Sequence, residues 1–223
     1  MTTGAAVALA VAGTAALGWL YRRDHSEACA RRDGFFDVAR YAFETPEIMT
    51  TRGDYPVLRG TREGYRTELR ALADTIQLRK LPVLWLLVTI HRPLRLRSHF
   101  DMMMRPDNSE YYSAHGRMPE RVSTPPNWPQ EAVLRCDDPA EARARVIPAL
   151  APHLAQFTGD SRGKEIFLSP KGLRLVYRMD EGQRGHYLLT RLPFFNCTEL
   201  PRVMAEDLLD LGHRIARSLE DTE

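Results

Sequence analysis

The first apolar feature of the chain is a run from Gly4 to Leu20 with no charged residue, built mostly of Ala, Val, Leu and Gly and closed by Trp19, Tyr21, Arg22 and Arg23. A helix of about 20 apolar residues crosses a bilayer, and aromatic then basic residues at its end suit the membrane interface. The pattern predicts a single transmembrane anchor over residues 1–23, with Trp19, Tyr21, Arg22 and Arg23 at that interface. Only Met1, Thr2 and Thr3 precede the run, so the basic n-region of a cleaved secretory signal is missing. Arg22, Arg23, Arg31 and Arg32 follow it, which by the basic-flank rule puts the rest of the chain on the cytoplasmic side. Gly4, Ala8, Ala12 and Ala16 recur every fourth residue and form a small-residue face on which a second membrane helix could pack. Alanine-rich segments also give such faces by chance.

Residues 24–53 read as a juxtamembrane helix and linker. In DGFFDVARYAF, Phe35, Phe36, Ala39 and Phe43 fall near one side of a helix, which suits a membrane interface or, more often, a protein core. Pro46, Gly53 and the threonines between them mark the linker. A folded domain over residues 54–223 then opens with strand patterns at Tyr55–Leu58, Tyr65–Leu72 and Leu81–Ile90. LPVLWLLVTI is apolar at both parities, so this central strand requires cover on both faces. The next run alternates, with Leu94, Leu96, Phe100 and Met102 opposite Arg95, Arg97, His99 and Asp101.

From Arg105 to Val133 five prolines and scattered aromatics predict a long loop without regular structure. Asp138-Pro139-Ala140-Glu141 then has an N-cap, a proline at the first helical position and an acid three residues after the cap. Pro148 and Pro152 should break the helix that follows. Lys164–Leu168 and Leu173–Met179 flank Ser169-Pro170-Lys171-Gly172 as a hairpin, and His186–Leu192 reads as a last strand. Thr198 caps a terminal helix whose buried stripe is Leu200, Met204, Leu208, Leu211, Ile215 and Leu219. The expected fold is therefore α+β: an N-terminal single transmembrane helix followed by an antiparallel β-sheet domain with helices packed on one face.

Charge changes this picture more than composition does. The chain has 31 Lys and Arg against 29 Asp and Glu, but the two signs are segregated. Arg59, Arg62, Arg66, Arg70, Arg79, Lys80, Arg92, Arg95 and Arg97 lie in one stretch, and acids outnumber bases after Glu199. A surface made of those bases would attract anionic lipid headgroups, although charge runs are more generally just solvated faces. Near-neutral overall charge, with no basic-aromatic binding signature, argues against nucleic acid.

The motifs of common cofactors are missing. No Gly-rich phosphate loop and no H-E-x-x-H occurs, and the seven histidines lack metal-ligand spacing. Cys29, Cys136 and Cys197 are odd in number and widely spaced, which fits a reducing compartment rather than a disulfide framework. No cofactor, metal or catalytic residue is assigned, and an enzyme is not favoured. A catalytic alternative would need His99, Asp101, His115 and Glu110 to converge under the long loop.

Two binding readings remain. The main one is a non-catalytic, membrane-anchored accessory or scaffold subunit whose partners are membrane lipid and another membrane protein. Its recognition surface is placed in the long loop at Tyr111, Tyr112, Met118 and Trp128, since aromatics argue for order and anchor interfaces. The alternative is a binding module for a lipid or another amphipathic ligand, with Leu94, Leu96, Phe100 and the Met102, Met103, Met104 run lining a cavity. Ordinary core packing accounts for those same residues.

Overall fold

A computed structural model describes residues 12–16, 18–19, 22–23, 30, 32–51, 53–75, 81–107, 110–190 and 193–221 of the chain. The strands are β1 (Glu47–Met49), β2 (Val57–Arg62), β3 (Tyr65–Asp74), β4 (Val83–Ile90), β5 (Phe100–Met104), β6 (Glu120–Val122), β7 (Ala132–Cys136), β8 (Gly163–Ser169) and β9 (Gly172–Glu181). They form one open nine-stranded sheet in the order β1-β2-β3-β4-β9-β8-β5-β7-β6, every pairing antiparallel. A broken helical segment, α1 (residues 139–158), a short α2 (Arg184–Thr190) and a long α3 (Arg202–Asp221) complete it.

The two faces of the sheet differ because side chains alternate along each strand. Leu84, Leu86, Val88 and Ile90 of β4, Leu173 and Leu175 of β9, Ile166 and Leu168 of β8, and Phe100 and Met102 of β5 point into the main core. There they meet Leu208, Leu211, Ile215 and Leu219 of α3 and Leu150, Leu154 and Phe157 of α1. Trp85, Leu87 and Val176 point the other way into a smaller cluster with Leu72, Val83 and Tyr112. The apolar residues of both parities in β4 thus meet helices on one side and the long loop on the other.

Helix boundaries follow local chemistry. Asp138 accepts bonds from the Ala140 and Glu141 amides at 2.8 and 3.2 Å, with Pro139 at the first turn. Proline removes a backbone donor, and α1 passes through a π turn at Ala142–Val146 and a 3₁₀ turn at Ala151–His153 around Pro148 and Pro152. Glu141 does not return to its cap. Its carboxylate takes the Arg97 and Ser98 amides and the Ser98 hydroxyl, while Asp137 takes the His99 amide at 3.1 Å. With their donors satisfied there, and with Pro93 inside it, residues 91–99 stay out of the ladder, and the strand expected over 94–102 begins only at Phe100.

Several expectations are corrected. The fold class retains its antiparallel sheet with helices on one face but loses its spanning helix: among the described residues no helix is long and apolar enough to cross a membrane. Residues 12–16, 18 and 19 are helical and exposed, whereas Gly4 and Ala8 lie outside the described residues. The physical reason is compositional, since the run is rich in Ala and Gly, which supply little transfer energy. The single-pass localisation, the placement of the domain on the cytoplasmic side and the membrane-anchored accessory or scaffold role all rested on that helix and fall with it.

Smaller corrections concern single elements. The loop over 105–133 contains a 3₁₀ turn at His115–Arg117, all of β6 and the start of β7. The linker contains edge strand β1. Residues 184–190 are helical rather than extended, and α3 starts at Arg202, after Pro201, not at a Thr198 cap. Phe35, Phe36, Ala39 and Phe43 are buried in the main core, and the Leu200 amide donates to the Phe35 carbonyl at 2.8 Å.

Candidate functional site

The loop-side face of the sheet carries two unlike halves. Beneath residues 110–118, Asp101 of β5 and Glu165 of β8 are both fully buried. They are diagonal neighbours, because Asp101 pairs with Phe167 and Met103 with Glu165. A buried carboxylate needs compensating partners. Arg174 of β9 reaches Glu165 at 3.1 Å, and the Ser113 hydroxyl donates to Glu165 and lies 3.4 Å from Asp101. His115 places Nδ1 3.2 Å from Asp101 and donates its backbone amide to the Ser113 hydroxyl at 2.9 Å.

Burial pushes the Glu165 carboxyl up to about 8, with the Asp101 charge adding to it and Arg174 opposing it. Burial likewise raises Asp101 to about 6. The two carboxyls are diagonal neighbours that share the Ser113 hydroxyl, and their mutual repulsion adds to the rise at Glu165. His115 is shifted down by burial and by Arg135. Beside the pair, Lys164 is clamped by Glu110 at 2.6 Å and the Arg105 carbonyl at 2.8 Å, and it lies over the Trp85 ring at 6.0 Å.

The other half is open. Register places Arg66, Glu68, Arg70 and Leu72 of β3 on this face, with Val57 opposite Arg70 on β2 and Leu87 opposite it on β4. Trp85 stands between Leu72 and Arg178 of β9. Glu68 is neutralised by Arg59 at 2.7 Å. Among the described residues, Arg66, Arg70 and Arg178 have no carboxylate within ion-pair distance. Tyr111 and Met49, 48% and 40% exposed, add apolar surface to the same side.

The residues singled out from the sequence are distributed unevenly. Asp101, His115 and Glu110 do converge under the loop, whereas His99 stands apart, 2.7 Å from Asp137 and stacked on Phe167. Glu165, Arg174, Ser113 and Lys164 carry no sequence signal, since each reads as an ordinary polar position. Of the proposed partner-binding residues, Met118 and Trp128 are buried, Tyr112 packs on Trp85 at 5.9 Å between ring centroids, and Tyr111 is exposed. Of the expected interface residues, Trp19 is exposed with Arg23 over its ring at 5.8 Å, Arg22 is exposed, and Tyr21 lies outside the described residues. Ala12 and Ala16 are exposed.

Leu94, Leu96, Phe100, Met102 and Met104 are packed into the main core rather than lining a cavity. The basic stretch is also divided, because Arg62 and Arg92 turn to the helix side and pair with Asp210 at 2.6 Å and Glu220 at 2.8 Å of α3. An open groove of about 350 Å³ runs beside them, lined by Tyr41, Phe43, Glu44 and Arg62. No group of three or more His, Cys, Asp or Glu among the described residues is placed to hold a metal ion.

No family model matches the chain. No curated protein matches it. Among solved structures, the crystal structure of the mycobacterial trehalose monomycolate transport factor A aligns at 12% identity and a TM-score of 0.33, covering 74% of this chain and 70% of that one. A likeness at that level carries no argument about this chain.

Proposed function

We propose that the domain is a binding module for an amphipathic anion, held on the open half of the loop-side face. The observation that carries this reading is that Arg66, Arg70 and Arg178 lie on one face of the sheet, none with a carboxylate partner among the described residues, with Val57 and Leu72 beside Arg70. Guanidinium groups bind phosphate or carboxylate through fixed forks of donors, and an apolar strip beside them gives an alkyl tail somewhere to lie. Tyr111 stands at the border of the two halves, where Asp74, Arg70 and Asp54 are the charges acting on it.

Calorimetric titration with dodecyl phosphate below its micelle concentration, and with inorganic phosphate, tests the reading. Saturable binding of the amphiphile with far weaker binding of inorganic phosphate is expected. Equal binding of both would reduce the face to a simple anion site, and binding of neither would remove the proposal.

A further inference from the structure

Cross-strand register lays out the open half as parallel rows, since residues directly opposite one another stand on the same face of a sheet. One row runs Met49, Val57, Arg70, Leu87 and Val176 through β1, β2, β3, β4 and β9. The row beside it runs Glu47, Arg59, Glu68 and Thr89, with Arg59 and Glu68 paired at 2.7 Å. The two ends of the first row differ. Beyond Arg70 it is closed, because Leu87 and Val176 are buried with Trp85, and Tyr112 of the loop packs on that cluster. Before Arg70 it is accessible: Val57 is half-buried, and Met49, 40% exposed, ends the row on edge strand β1. The Arg59 guanidinium donates to the Met49 sulfur at 3.0 Å and so holds that end in place.

We propose, resting on the anion-binding reading above, that this row selects the tail of the ligand: the site takes an anion with a single alkyl chain of medium length, its headgroup at Arg70 and its chain lying across Val57 to Met49. A chain pointing the other way would meet Tyr112 and the buried Trp85, Leu87 and Val176, and Leu72, next along β3, packs on that same cluster. A chain turned toward the neighbouring row would have to strip water from the Arg59–Glu68 pair. From β3 to β1 is two strand spacings, about 10 Å, which an extended chain advancing roughly 1.25 Å per carbon spans with about eight carbons. Only one side of the chain is covered, so each methylene on the row tightens binding by about twofold, against about fourfold for full burial. Carbons beyond the β1 edge stay in water and add nothing.

The test is calorimetric titration of the full chain with butyl, hexyl, octyl, decyl and dodecyl phosphate, each below its micelle concentration. Affinity should rise about fourfold from butyl to hexyl and again from hexyl to octyl, then stay level through dodecyl phosphate. Met49→Gln, which makes the exposed end of the row polar, should bring octyl phosphate down toward hexyl phosphate. A rise that continues through dodecyl phosphate, affinity independent of chain length, or octyl binding unchanged in Met49→Gln would each overturn the proposal while leaving anion binding at the arginines intact. Failure of every alkyl phosphate to bind would instead remove the anion-binding reading itself, and this proposal with it.

Discussion

At the scale of single residues, the carboxyl pair makes a pH-dependent contribution to stability. Asp101 and Glu165 hold protons more tightly in the folded chain than at their ordinary values of 3.8 and 4.5. Their contribution therefore favours the folded state at low pH and is lost as pH rises, through about 6 for Asp101 and about 8 for Glu165. His115 works in the opposite sense, because burial favours its neutral ring and its stabilising contribution grows as pH rises toward 6.5. Comparing the two proteins isolates the acid term. The melting temperature of the wild type minus that of Glu165→Gln should be largest near pH ~5 and should shrink by pH ~9. A difference independent of pH would show that Glu165 is not held protonated.

At the scale of elements, the β8–β9 hairpin depends on one backbone position. Gly172 has φ of +144°, and a Cβ there would collide with the Ile90 carbonyl oxygen. Gly172→Ala should cost about 2–4 kcal/mol, read as a fall in the urea midpoint, because both strain and collision oppose it. A loss within the range of ordinary surface substitutions would contradict that geometry. This hairpin was legible in the sequence because turn residues and alternation agreed, and so was the demand of LPVLWLLVTI for cover on both faces. The stripe of α3 could be read for the same reason. Residues 186–192 could not, since a short apolar run with no partner strand fits helix or strand equally. Glu165 was invisible because a charged residue in an alternating strand reads as solvent-facing. Only its position under a distant loop makes it buried, and distant contacts leave no local pattern. Asp101 and His115 could be nominated together, but what joins them, the Ser113 hydroxyl and the Glu165 carboxyl, could not.

At the scale of the whole molecule, the charge segregation along the chain resolves into two different outcomes. Acids of α3 neutralise Arg62 and Arg92 on the helix side, whereas Arg66 and Arg70 of the same basic stretch, joined by Arg178, remain without carboxylate partners on the opposite face. The sheet thus separates a side closed by helices and ion pairs from a side half covered by the loop and half open. The apolar N-terminal run gave the sequence its strongest membrane signal, and among the described residues no spanning helix accompanies it.

The central claim, that the open arginines recognise an amphipathic anion, is tested most directly by the dissociation constant of dodecyl phosphate for the wild type and for Arg66→Ala/Arg70→Ala/Arg178→Ala. Arg143→Ala/Arg202→Ala/Arg214→Ala serves as a control with the same loss of charge on the helices. Loss of the charge-assisted contact that holds the headgroup should weaken binding of the sheet variant by roughly 10- to 100-fold, while the control stays near the wild type. Equal weakening in both variants would mean that net charge alone attracts the ligand, and unchanged affinity in the sheet variant would contradict the account.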